Sequence, residues 1–230
     1  MPLLSIKLRK LPSVLGIYGK TGDYFPPAAS YLHPEAAEAF ERACAQFVRL
    51  RVSDMFRTPE QSMQARAEKA GVQPPGYSAH NFGFAIDVDV EKLLKQTGLS
   101  KDKFDAKMME FHWYCHRRDG KRGFEDWHFN YLGPDAAQWL AKASKTSTAG
   151  AIEAKIAATY AEGLKLDPPE IQECLKQMKM YSGDIDGQIG PRSKAALAAF
   201  QRTWALPDTG VLDPKTERTL AYVSCVREEC

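Results

Sequence analysis

The sequence predicts an α+β domain, a small antiparallel sheet carried with helices, followed by a small all-α bundle of three helices. Three observations lead there. Up to residue 142, short alternating apolar and polar runs are interleaved with amphipathic helical patterns and joined by hairpin-length links. At Ala143-Ser-Lys-Thr-Ser-Thr-Ala-Gly150 the composition turns small and polar, as in a flexible linker that buries nothing. Beyond it, helical patterns are punctuated by Pro and Gly. The expected division is a first domain at 1–142, a linker at 143–152 and a second domain at 153–230.

Each element has a local cause. From Pro34 to Val48 apolar residues recur at helical spacing with charges opposite them. Leu50 to Phe56 alternates like a strand, and the chain then enters a helix with Thr58 as cap and Pro59 in its first position. A turn at Pro74-Pro75-Gly76 leads into a strand predicted from His80 to Val90. Lys101 to about Arg117 reads as helix, and Trp127 to Leu132 as a last short strand. In the second domain, helices are expected from Pro169 to Met180, from Pro191 through Gln201, and onward from Asp213-Pro214. Gly190-Pro191-Arg-Ser193 and Asp213-Pro214-Lys-Thr216 echo one another, each setting a cap residue before a Pro. Ala195, Leu197 and Phe200 are the predicted core positions of the middle helix. Asp184-x-Asp186-Gly187 lacks the further acidic ligands of a calcium loop and is read as a glycine turn.

Composition narrows the function classes. Across 230 residues, 31 basic side chains against 29 acidic ones leave a net charge of +2, too weak a field to select nucleic acid or an anionic membrane. Neither is expected as a partner. No run is long and apolar enough to span a bilayer, so membrane insertion is not expected. The first residues, Met1 to Leu11, interleave apolar and basic side chains instead of forming the apolar core of a secretory signal. The five cysteines (Cys44, Cys115, Cys174, Cys225, Cys230) are scattered and show no C-x-x-C spacing. Free thiols are expected, with a Cys225–Cys230 bridge as the alternative.

The chemistry lies in two clusters. Ser78-Ala-His80-Asn-Phe-Gly83-Phe-Ala85-Ile-Asp87-Val-Asp89 sets a histidine and a carboxylate seven residues apart, and Glu125-Asp-Trp-His128 adds a second imidazole and a further acid. His80, Asp87 and His128 form the ligand set of a catalytic zinc whose fourth position is kept for water, and Glu125 is its natural general base. On a regular strand His80 and Asp87 would point to opposite faces, so Gly83 must bend the chain between them. Asp89 is either an acceptor behind a ligand or a solvated edge residue. Each histidine alone would be read as a satisfied, half-buried residue; the pairing of complementary clusters argues for a site.

Ser-x-His-x-x-Gly-x-Ala-x-Asp at Ser78 to Asp87, followed by Glu-x-Trp-His at Glu125 to His128, resembles the zinc D-Ala-D-Ala carboxypeptidase and L-alanyl-D-glutamate endopeptidase family (VanY-like), which cuts peptidoglycan stem peptides. The resemblance implies zinc ligation by His80, Asp87 and His128, one ion per chain. It implies that Glu125 deprotonates the attacking water and protonates the leaving amine. Arg57, just before Thr-Pro-Glu, would hold the scissile carbonyl as it becomes an oxyanion, and Ser78 would help to anchor substrate. The chain departs from the family pattern at Phe111 to Gly123, where His112 and His116 stand at i, i+4 on a predicted helix. A zincin motif would need Glu between them, so they are expected to pack and not to bind the catalytic metal.

Asp186-Gly-x-x-Gly-Pro-x-Ser-x-x-Ala-Leu-x-x-Phe-Gln201 resembles the three-helix peptidoglycan-binding module of cell-wall hydrolases. Together these imply a zinc peptidase, an endopeptidase ahead of a carboxypeptidase, anchored to bacterial peptidoglycan and acting as a monomer at the cell wall. The alternative is a wall-binding or wall-sensing protein without activity. With no secretory signal read in the chain, release during phage lysis, as an endolysin, is the expected route to the wall.

Overall fold

In the computed structural model, the described residues are 8–11, 30–47, 50–68, 72–115, 126–134, 155–159, 161 and 164–229. The linker predicted at 143–152 lies outside them, as do Glu125, His116 and Cys230. Contacts divide the chain into two compact units, one drawn from Lys7–Arg57 and Ala79–Ile156, the other from Thr58–Ser78 and Ala157–Cys230.

The first unit holds a two-stranded ladder, β1 (Arg9–Lys10) against β2 (Tyr31–Leu32), then helix α1 (Pro34–Gln46). Alanines 36, 37, 39 and 43 and Phe40 form the buried stripe of α1, small side chains that let it sit close to its neighbours. Its sheet is antiparallel, in the order β3-β4-β6-β5, from β3 (Val52–Asp54), β4 (Ala85–Val88), β5 (Trp113–Tyr114) and β6 (His128–Tyr131). Both central strands are buried throughout. Alternation sends Ile86 and its partner Phe129 to one face, where Phe129 meets the Phe104 ring edge-on at 5.8 Å. Asp87 and His128 go to the other face.

Two helices lie between β4 and β5. In α3 (Val90–Thr97) the Asp89 side chain accepts from the Lys92 amide, and Gly98 ends the helix at φ +67. Helix α4 (Lys101–Met109) is capped by Ser100 and stops at Met109, well short of the Arg117 expected from sequence. Its end is set by tertiary pairing: His112 takes a left-handed φ of +64, and Trp113–Tyr114 then join the sheet against β6. The predicted helical pairing of His112 with His116 is thereby lost, since His112 is not helical.

In the second unit, α2 (Pro59–Glu68) opens with the expected cap in its reciprocal form. The Thr58 hydroxyl accepts from the Gln61 amide at 3.3 Å, while the Gln61 side chain accepts from the Thr58 amide at 2.9 Å. Helices α5 (Pro168–Gln177), α6 (Pro191–Thr203) and α7 (Pro214–Glu229) enclose a core of Ile171, Leu175, Leu197, Phe200, Trp204 and Leu220, with Met63 of α2 packed against it. Leu197 and Phe200 are core as predicted, but Ala195 is exposed and Ala196 is buried, because Ser193, Leu197, Phe200 and Trp204 set the phase of that face.

The repeated Pro motif has a buried counterpart. Gln172 Nε2 donates to Asp186 Oδ1 at 2.7 Å and Gln188 O at 3.0 Å, while its Oε1 accepts from Gly187 N at 2.8 Å. Gln201 repeats this one helix later, donating to Val211 O at 2.9 Å and Thr216 Oγ1 at 3.0 Å and accepting from Gly210 N at 2.8 Å. Each glutamine satisfies the backbone of a glycine turn that the fold encloses. Among the described residues, no disulfide joins Cys44, Cys115, Cys174 and Cys225. No helix among the described residues is long and apolar enough to cross a membrane.

Candidate metal centre

Register builds the site. Asp87 stands directly opposite His128 across β4 and β6, and Asp54 of β3 pairs with Asp87 on its other side. Cross-strand partners share a face, so residues far apart in sequence are brought side by side. His128 Nδ1 lies 2.8 Å from Asp87 Oδ1, and His80 Nε2 lies 3.4 Å from the same oxygen. All three side chains are buried, with their donor atoms within 4.8 Å of one another.

His80 arrives from a 3-10 turn (Ala79–Phe82) and not from the strand predicted for it. The bend demanded by its odd spacing from Asp87 is made at Gly83, which takes φ +72. A Cβ there would collide with the backbone nitrogen of His33 and stand 2.8 Å from the Leu32 carbonyl carbon. Glycine is required twice over, for the left-handed backbone and for this close approach. The same contact carries a hydrogen bond, since the His33 amide donates to Gly83 O at 3.0 Å.

The end of β3 supports the turn. His80 Nδ1 donates to Met55 O at 2.5 Å, which holds the ring with Nε2 turned towards Asp87. The Arg57 amide donates to His80 O at 3.2 Å, and Asn81 Nδ2 donates back to Arg57 O at 3.1 Å. Arg57 Nε is held by Asp54 Oδ2 at 2.6 Å, with Nη2 3.8 Å from Asp87 Oδ2. Burial by itself would raise the Asp87 carboxyl. The charge of His80, hydrogen bonds from both histidines and the charge of His128 outweigh it and hold Asp87 well below the usual carboxylate range. The carboxylate is therefore ionised at neutral pH, as a ligand must be.

Residues 30–134, which contain this whole cluster, match the protein family described as "D-alanyl-D-alanine carboxypeptidase" (VanY). This stretch is a VanY domain. Residues 167–220 match the family described as "Putative peptidoglycan binding domain", so the VanY domain is followed by a peptidoglycan-binding domain. Among curated proteins, "Putative OxPP cycle protein OpcA" of Synechococcus elongatus is 38% identical over 74 residues, 32% of this chain and 16% of the relative's length. The chain thus matches about a sixth of that relative. Among solved structures, one titled "Structure of the LdcB LD-carboxypeptidase reveals the molecular basis of peptidoglycan recognition" is similar at TM-score 0.43 and 17% identity, covering 59% of this chain and 72% of that one.

Within the VanY domain, His80, Asp87 and His128 lie together, with Arg57 Nη2 3.8 Å from Asp87 Oδ2. Two imidazole nitrogens and one ionised carboxylate oxygen are a donor set that suits zinc and leaves a tetrahedral ion one open position. Asp89 serves elsewhere: its carboxylate accepts from the Lys92 amide at 3.2 Å and pairs with Lys92 Nζ at 3.0 Å, capping α3. The strand carrying Asp87 ends at Val88, so the two aspartates do not share a strand face. Ser78 is buried and belongs to the second compact unit. The ring of His112 faces Tyr131 edge-on at 6.4 Å.

Sequence reasoning missed Asp54 and Met55. An acid three residues before Arg57 on an alternating run was a legible signal for the first; a supporting carbonyl oxygen has none. It also missed Asn130, two residues beyond His128 on the same face, fully buried, with neither amide atom hydrogen-bonded among the described residues.

Proposed function

We propose that this chain is a zinc-dependent peptidoglycan hydrolase that cleaves an amide bond of the stem peptide, acting at the bacterial cell wall. The observation that carries the reading is the buried His80–Asp87–His128 cluster inside a VanY domain. These three residues would hold the ion, one per chain. Bound zinc would supply Lewis acidity towards the scissile carbonyl and lower the pKa of water.

The chain's own groups divide the remaining work. Glu125 takes the proton of the attacking water and returns it to the leaving amine. Arg57, oriented by Asp54, meets the negative charge that develops on the carbonyl oxygen; one such donor is commonly worth about 3 kcal/mol of barrier. Ser78 helps to anchor the peptide. The peptidoglycan-binding domain raises the effective concentration of wall substrate. Such tethering favours an enzyme of assembled wall, so L-alanyl-D-glutamate cleavage is preferred to D-Ala-D-Ala carboxypeptidase action. The run His80-Asn-Phe-Gly83, similar to the endopeptidase branch, supports the same choice.

Zymography on purified walls tests the chemistry, comparing wild type, Glu125→Ala and chelator-treated protein. Clearing by the untreated wild type alone is expected; equal clearing by all three refutes the zinc mechanism. Mass spectrometry of products from defined muropeptides names the bond, and release of terminal D-Ala alone would overturn the endopeptidase preference.

A further inference from the structure

The turn ahead of the metal-binding motif is held by the last helix of the chain. Within the unit formed by Thr58–Ser78 and Ala157–Cys230, Arg218 Nε on α7 donates to Gly76 O at 2.6 Å. The Arg218 guanidinium lies over the Tyr77 ring, 4.1 Å from its centre. One residue on, the Thr219 hydroxyl donates to Pro75 O at 3.2 Å. Gly76 adopts φ +85, and a Cβ there would stand 3.0 Å from Tyr222 Cβ, so the turn lies closely against the helix. Pro74, Pro75 and Gly76 are all buried.

We propose that Arg218 is a positioning residue for the active site, and that the C-terminal module supports the catalytic turn as well as tethering the enzyme. The inference rests on the hydrolase reading above. Tyr77 precedes His80 by three residues, and three residues span at most about 10 Å of chain. Two prolines stiffen the approach to that segment. A turn released from α7 therefore moves Ser78 and His80 with it. The guanidinium suits this task, because it binds one carbonyl while stacking on the adjacent ring, which an ammonium does less well.

A soluble stem peptide separates positioning from tethering, since a small substrate gains nothing from wall anchoring. Full-length wild type, Arg218→Ala, Arg218→Lys and Thr219→Val are compared for kcat and KM on that peptide, zinc retention against a chelator, and pull-down on purified walls. Arg218→Ala is expected to lower kcat by about tenfold or more and to weaken zinc retention, with wall pull-down kept. Arg218→Lys recovers part of the loss, and Thr219→Val shows a smaller fall in the same direction. Wild-type kcat and zinc retention in both Arg218→Ala and Thr219→Val overturn the proposal. Should Arg218→Ala fail to fold, Thr219→Val decides alone by the same criterion. A wild type inactive on every stem peptide refutes the hydrolase reading instead, and zinc retention by the variants still tests the positioning.

Discussion

Replacing Gly83 by alanine should damage the proposed metal centre through two separable costs. The backbone there sits at φ +72, where an L side chain costs roughly 1–2 kcal/mol. The added methyl would also meet the backbone of Leu32 and His33, which cannot rotate away, for about 1–3 kcal/mol more. Gly98 supplies the control, because it has φ +67 with nothing within 4 Å of a built Cβ. Gly98→Ala should show the first cost alone. Urea unfolding followed through the fluorescence of buried Trp113 should place the Gly83→Ala midpoint lower than that of Gly98→Ala by roughly 1 M, given a slope of about 1–3 kcal/mol per molar. Chelator competition should show weakened zinc binding in Gly83→Ala only, since the displaced turn carries His80. Equal midpoints and equal zinc affinities for the two variants would refute the steric argument.

Three further outcomes are expected. Asp54→Asn releases the Arg57 guanidinium, so kcat/KM on a stem peptide should fall about tenfold, while melting changes little because the pair is partly exposed; unchanged kinetics would remove Asp54 from the site. Gln201→Leu deletes five hydrogen bonds around the Thr209–Val211 turn and Thr216, and should cost about 2–4 kcal/mol, whereas Arg202→Ala, which breaks an exposed ion pair, should stay within about 0.5 kcal/mol. Differential scanning calorimetry distinguishes the two. Burial pushes the Cys115 thiol up to about 11 and, with Glu41 assisting, Cys44 up to about 12, both from 9.0. Both should resist thiol reagents at pH 8. The stability tied to the Cys115 proton is complete below pH 9 and declines by roughly 1.4 kcal/mol per pH unit up to about 11, because the unfolded thiol ionises first; a flat stability profile across that window would contradict the burial.

What the amino-acid sequence determined by itself was local and chemical. Thr58-Pro-Glu-Gln61 announces its helix because a cap acts within one turn, and the donor types at His80, Asp87 and His128 name a zinc-like ligand set wherever they are folded. Even the need for a bend at Gly83 followed from strand alternation alone. Tertiary structure decided the rest. Asp87 and His128, 41 residues apart, meet only because β4 and β6 pair in one register, and a slip of one residue would turn either side chain to the opposite face. The same long-range pairing ended α4 early, drew Trp113–Tyr114 into a strand, and left Asp89 to cap a helix. Met55 supports His80 through a carbonyl that every residue possesses, and the segment Thr58–Ser78 joins a unit with residues beyond 156. Patterns of period 2 and 3.6 reach only a few residues along the chain, whereas pairing partners and packing neighbours are chosen by burial across the whole fold.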